Sequence, residues 1–472
     1  MIASLTSPDR HRPRYHFTAP TNWINDPNGL CFHDGRWHLH YQYNPNAPQW
    51  GDIHWGHASS ADLMHWRDEP LALAPSAGED EGGFFSGCFA LVNGMPTLYY
   101  TGYSAARQVQ CVATGTPDLS RWTKHPERTI AEPPAGVEPH DFRDPCVFQH
   151  DGHWYMVVGA SLHHQRGQAL LYRSDDGITW QAREPLYTAP DERLGVMWEC
   201  PNFFPLGDGS RWVLLVSHWL LLGVHAFVGR FENERFTPEW DGPFDVDGGA
   251  FAPLTMRAPD GRMLQWAWMN EQREQAHINR GGWAGAMTVP RELGLDAQGR
   301  LTVRPAAEIA GLREAAVAVT PTGDSRGTLA QFAGTALDIE ARFSGRNREK
   351  VGLTLLASPD GRERTRIVYW QDARRLTIER EHSSLSTEVR RQNLHTTLLI
   401  AEDEPLRLRV LLDGSVLEVY ANDQVCLSTR VYPTLAESVQ ASAFSEGKVT
   451  LDLQVWAMGA MFEGERQPLS KP

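Results

Sequence analysis

Three acids in this chain stand just before a proline that itself lies six or seven residues ahead of an Asp-Gly turn: Asp26-Pro27, Asp144-Pro145 and Glu199-Cys200-Pro201. Carboxyl groups brought together from separate segments can divide their labour. One stays ionised as a nucleophile, while another keeps its proton and serves as a general acid. Taken singly, each acid reads equally well as a turn residue, since Asp-Pro-Asn-Gly at 26–29 is a good turn by itself. Their recurrence at comparable places in a repeat favours a site.

The repeat is set by turns. Asp34-Gly35, Asn93-Gly94, Asp151-Gly152, Asp208-Gly209 and Asp260-Gly261 begin 59, 58, 57 and 52 residues apart. Each leads into an aromatic, β-branched run such as RWHLHYQY, HWYMVVGA or RMLQWAWM, which is a hairpin signal. Ala252-Pro253 keeps the proline without the acid, and Ser86-Gly87 has neither. Five strand–turn–strand units of this length predict an all-β fold, a five-bladed β-propeller over residues 1–304. Proline cannot donate to a sheet ladder and is kept at edges. The prolines therefore belong to innermost strands, and their acids face one central funnel.

After the fifth unit, PAAEIAGLREAA (305–316) has helical character and opens a linker over 305–321. From 322 to 472 short alternating runs such as ALDIEARF, LRLRVLLDG and SVLEVYAND recur with turn signals between them. That texture predicts a C-terminal antiparallel β-sandwich, a stabilising or accessory module whose edge offers a place for a second chain to pair as a homodimer.

Composition narrows the partners. Lys and Arg number 44 against 58 Asp and Glu, a formal net charge of −14, which argues against a nucleic-acid surface. No apolar stretch approaches a membrane span, and the first residues lack the apolar core of a signal peptide, so the expected location is cytoplasmic. The six cysteines form no CxxC pair. His38, His40, His54, His57 and His65 cluster in sequence without a clear ligand set, so no metal and no cofactor is expected, and blade-to-blade hydrogen bonding is their expected role. Most of the 17 tryptophans read as packing, the rest as flat faces for a sugar ring.

The ordered set HFTAPTNWINDPNG (16–29), YQYNP (41–45), QWG (49–51), HWGHASSADLMHW (54–66), FSG (85–87), FRDP (142–145) and WECP (198–201) closely resembles glycoside hydrolase family 32, the invertases and fructan hydrolases. The resemblance extends through SVLEVYAND and RVYP in the second half. It implies a sugar substrate and a retaining cleavage of β-fructofuranosides, such as sucrose or short fructo-oligosaccharides. It also implies roles: Asp26 as nucleophile, Asp144 holding sugar hydroxyls and stabilising the transition state, Glu199 as acid/base. Such chemistry needs two carboxyls roughly 5–5.5 Å apart with unlike proton affinities. Neighbouring negative charge is expected to raise Glu199, and hydrogen bonds to keep Asp26 ionised. Arg143 is placed to steady a carboxylate. Asn25, Gln42, Trp50, Phe85 and Ser86 match positions lining the family's fructose pocket, and Trp23 and Trp283 are candidate walls, with packing an equal reading for Trp283.

Two departures from the family pattern bear on function. Ala47 replaces a usual glycine, and Asn202 stands where aspartate is common, close enough in sequence to affect Glu199. A fructosyltransferase using the same intermediate, or a non-catalytic sugar-binding propeller, are the alternative readings.

Overall fold

The computed structural model describes residues 9–469 except 126, 128, 129, 131, 220–222, 247, 248 and 347. The fold is nearly all-β, and its residues group into two compact units. Among the described residues no helix is long and apolar enough to cross a membrane.

One unit comprises residues 18–270, 282–302 and the chain after 463. It holds five antiparallel sheets of successive strands. Their first strands are Asn22–His33, Gly83–Val92, Val137–His150, Trp198–Leu206 and Phe251–Arg257. The second strands are Arg36–Asn44, Met95–Tyr103, His153–Leu162, Arg211–His218 and Met263–Met269. The connecting turns explain the sequence signal. Asp34-Gly35, Asn93-Gly94 and Asp151-Gly152 all have positive φ at both residues. This is the two-residue hairpin turn whose twist matches that of the strands it joins. Each first strand lies against the first strand of the next sheet, and the fifth lies against the first. The first sheet also gains a late strand, Trp283–Ala284, paired in parallel with Asn22 and Trp23.

All five first strands carry a β-bulge at the same place, where two residues oppose one on the second strand. The bulged pairs are Asn25-Asp26, Phe85-Ser86, Asp144-Pro145, Cys200-Pro201 and Ala252-Pro253. A bulge turns a strand and re-aims its side chains. The three acids therefore do not occupy one equivalent position, as the proline spacing suggested. Asp26 is the second bulge residue, Asp144 the first, and Glu199 the residue before the bulge. Asp144 has φ 66° and Cys200 φ 46°, a left-handed conformation that costs of order 1–2 kcal/mol in a residue with a side chain.

The other unit comprises residues up to 17, 271–281 and 303–463. It contains a six-stranded and a seven-stranded antiparallel sheet. Leu337, Ile339, Ala341 and Phe343 alternate into its buried interior from the strand Ala336–Ser344. The helical stretch expected after residue 305 is a 3-10 helix, Ala307–Leu312. Within the rest of the expected linker, Arg313–Ala316 and Thr320–Pro321 are strand, because they find ladder partners in the two sheets.

Candidate active site

The bulges bring residues from four first strands to one place. Asp26 accepts hydrogen bonds from Ser86 Oγ (2.7 Å), Gln42 Nε2 (3.0 Å) and Asn25 Nδ2 (3.2 Å). Gln42 is fixed in turn: its Oε1 accepts from Asn25 Nδ2 at 2.8 Å, and its Nε2 reaches Ser86 Oγ at 2.9 Å. Gln42 is the single residue opposite the Asn25-Asp26 bulge, which explains why its amide lands on that carboxylate. Trp23 donates its indole N–H to Asn25 Oδ1 at 2.8 Å.

Asp144 is tied to the same serine. The backbone N–H of Ser86 donates to Asp144 Oδ1 at 3.2 Å, and that of Cys200 donates to Oδ2 at 2.9 Å. These two N–H groups belong to neighbouring bulges, so the distorted strands turn spare donors toward one buried carboxylate. The amide of Asp144 itself donates to Thr101 Oγ1 at 2.8 Å. The Cys200 thiol sits 3.5 Å from Asp144 Oδ2 and 3.9 Å from Asp26 Oδ2, linking the two aspartates from a third strand.

Glu199 is held by Arg143, whose Nε and Nη2 both donate to Oε1, at 3.0 and 2.8 Å. The remaining guanidinium nitrogen donates to Gln108 Oε1 and His140 O. Arg143 lies over the Phe85 ring, 5.7 Å from its centroid. Phe85 is stacked with Trp50, which is 52% exposed and so presents a ring face to solvent. Trp283 is only 1% exposed, which makes it a packing residue.

Electrostatics follow from burying three carboxyls together, with Arg143 paired to Glu199. Burial, aided by the charges of Asp144 and Glu199, pushes the Asp26 carboxyl up to about 7 against the hydrogen bonds from Ser86 and Asn25. The expectation that hydrogen bonding would keep Asp26 ionised is thus reversed. Burial also raises Glu199, more than Arg143 lowers it, with the neighbouring acids a lesser cause than expected. Burial raises Asp144 against the pull of Arg143 and the Cys200 N–H. The centre holds fewer than three full negative charges near neutral pH, so protons are available for transfer.

Several contributors had no clear mark in the sequence. Thr101 and Gln108 lie on strands that read only as packing, and the Cys200 backbone N–H sits inside a motif that pointed to Glu199 alone. The alternation Gln108-Val109-Gln110 was the one available signal, a polar face on an otherwise apolar run. Asn202 touches the fourth and fifth strands instead of Glu199. It donates to Cys200 O and Pro253 O and accepts from Thr255. The clustered histidines bond within the first sheet or within turns instead of from blade to blade: His38 Nδ1 and His57 Nε2 are 2.9 Å apart, His40 Nδ1 donates to Gly29 O, and His54 and His65 bond locally to Asp52 O and Asp62.

Comparison with known proteins gives this geometry a lineage. The glycosyl hydrolases family 32 N-terminal domain matches residues 16–305, and the family 32 C-terminal domain matches 308–457. Sucrose-6-phosphate hydrolase from Escherichia coli is 33% identical over 95% of each chain. Raffinose invertase from Escherichia coli is 33% identical over 92% of each. Among solved structures, fructan 1-exohydrolase IIa from Cichorium intybus superposes with a TM-score of 0.88 at 27% identity, covering 97% of this chain and 99% of that one. A variant of that protein has been solved in complex with 1-kestose. With both family domains matched in order and relatives aligned almost end to end, the chain belongs to glycosyl hydrolase family 32 and is a glycoside hydrolase.

Proposed function

We propose that this chain is a β-fructofuranosidase that releases fructose from sucrose and short fructosides by a retaining, two-step displacement. The observation that carries this reading is the division among the acids. Glu199 is oriented by Arg143, while Asp26 and Asp144 share Ser86 across neighbouring strands. In the first step Asp26 attacks the anomeric C2 of fructose, and Glu199 protonates the departing glycosidic oxygen. In the second, Glu199 takes a proton from water, whose oxygen displaces Asp26. Asp144, fed by two backbone N–H groups, is rigid enough to accept fructose hydroxyls and to stabilise the developing positive charge. Asn25, Gln42 and Ser86 orient Asp26, and Trp50 and Phe85 offer an aromatic floor for the sugar beyond it.

We infer the architecture that supports this chemistry from the cyclic contacts of the five first strands. Five sheets around a common axis make a five-bladed propeller, with the two remaining sheets forming a β-sandwich.

The test is a product profile with a second acceptor present. Incubated with sucrose and dilute methanol, the enzyme should yield equimolar glucose and total fructosyl product, with methyl β-fructofuranoside as the methanolysis product. Methyl α-fructofuranoside would overturn the retaining assignment. New oligosaccharides with glucose in excess of fructose would move the activity to transfer. Turnover of sucrose 6-phosphate alone would place the substrate among phosphorylated sugars.

A further inference from the structure

Arg143 meets a second carboxylate besides Glu199. Its Nη1 lies 3.7 Å from Asp141 Oδ1, at the corner left over by the Nε and Nη2 edge that holds Glu199. The strand Val137–His150 distorts to bring Asp141 there. Residues 138–141 all oppose the single residue Ser161 on the next strand. Such an irregularity swings side chains out of the ladder, and it leaves Asp141 half-buried against the guanidinium.

On its other side Asp141 faces a turn. His164 Nδ1 is 2.9 Å from Asp141 Oδ2, and His164 Nε2 is 3.6 Å from Glu138 Oε1. The turn joins His153–Leu162 to Arg166–Ser174, and the Gln165 N–H closes it on Leu162 O at 3.0 Å. Its central residues, His163 and His164, both have positive φ, 55° and 54°. That conformation is strained for a residue with a Cβ and ordinarily falls to Asn-Gly. Gly136 makes room for the turn. Its carbonyl accepts the His163 N–H at 2.9 Å, and a Cβ on it would stand 2.7 Å from the His163 ring. What the strained turn achieves is an imidazole set between two acids, one of them on Arg143.

We propose that Asp141 is a positioning residue that keeps the proton on Glu199 by drawing on the same guanidinium, and that His164 holds Asp141 in place. This role rests on the reading of Glu199 as the acid. A carboxylate beside Arg143 partly cancels the positive charge that favours ionised Glu199. Asp141 thereby leaves Glu199 protonated to higher pH, ready to give its proton to the leaving oxygen. Burial is the main cause that raises Glu199; Asp144 and Asp141 add to it, and Arg143 opposes them. The other charged groups around this chain of contacts are Asp26 on the first sheet, which Glu199 faces, and Glu138 beyond His164.

The test is the pH profile of kcat/KM on sucrose, whose alkaline limb reports ionisation of the acid. Asp141→Asn should move that limb down by about 0.5–1 pH unit, with the acid limb in place and KM within about twofold of wild type. Asp141→Glu keeps the charge and should return most of the shift. His164→Ala should move the limb the same way by less. Added to Asp141→Asn it should move the limb no further, since the ring acts through Asp141. Glu199→Gln is the control, and its residual activity should have no alkaline limb. A limb that persists there overturns the acid assignment, and the role of Asp141 with it. A limb lost in Glu199→Gln but unmoved, or moved upward, in Asp141→Asn overturns the role of Asp141 alone. A lowered melting temperature with an unmoved limb would mark Asp141 as structural only. A further shift in the double variant would overturn the part given to His164.

Discussion

Glu199 depends on Arg143 for its orientation and on burial for its proton, and Glu199→Gln separates the two. Glutamine keeps an oxygen for Arg143 but has no proton to give. The substitution should lower kcat on sucrose by about 10³-fold, within the usual range for general acid loss. A fructoside with a good leaving group should lose much less in its first step, and an equal loss on both substrates would argue against the acid role. Asp26 carries a second prediction. Its carboxyl is raised in the folded state to about 7, so the folded protein retains a proton that the unfolded chain has released. The associated stability is full below the unfolded value near 4 and is lost as pH rises toward 7. Asp26→Asn removes that dependence. Its melting temperature should exceed that of wild type at pH 8, by about 1–3 kcal/mol of stability after allowing for solvent at the open site, and the gap should close at pH 4. A gap of the same size at both pH values would show that burial does not hold that proton.

At the scale of elements, the repeated bulge organises the site. Thr101 is the residue opposite the Phe85-Ser86 bulge, and its hydroxyl accepts the Asp144 N–H. Thr101→Val keeps the shape and removes that acceptor, leaving a buried donor unpaired at a cost of about 1–3 kcal/mol. Thr101→Ser should restore most of the stability and activity, a rescue that urea melts and fructoside kinetics would read. The hairpins were plain in the sequence because Asp-Gly and Asn-Gly are demanded by positive φ at consecutive positions. The bulges were not, since one extra residue barely disturbs an apolar pattern. Proline spacing therefore aligned Asp26 with Asp144, whereas the bulges set them one place apart and Glu199 a further place back. Arg143 and Gln42 were legible through the family resemblance. Thr101 and Gln108 were not, because their work is to hold a backbone amide or a guanidinium, which no motif announces.

At the scale of the whole molecule, the chain leaves its first unit at residue 271 and returns at 282, an excursion that the expected boundary at 304 does not contain. Glu271 and Arg273 on that excursion are nearly fully buried. Arg273 pairs with Asp9 and Glu271, and Tyr432 donates to Glu271. A fragment ending at residue 304 would keep Arg273 beside Glu271 but lose Tyr432 and Arg430, leaving the Glu271 carboxylate short of two of its partners. It should be less soluble and melt well below the full chain. A fragment with the parent's melting temperature would show that the excursion contributes little.

The parallel pairing of Asn22 and Trp23 with Trp283 and Ala284 also has a consequence in time. The strand bearing Asp26 obtains its second neighbour only from residues made some 260 positions later, and such a distant contact is slow to form. At roughly 5–20 residues per second of synthesis, the start of the chain waits about 13–50 s for its partner. The carboxylate that attacks the sugar is thus on the last seam to be sewn, and a half-made or half-refolded chain remains inert toward fructosides. In refolding from urea, tryptophan fluorescence should recover before fructoside cleavage does. Recovery of both in a single phase would mean that the seam closes with the rest.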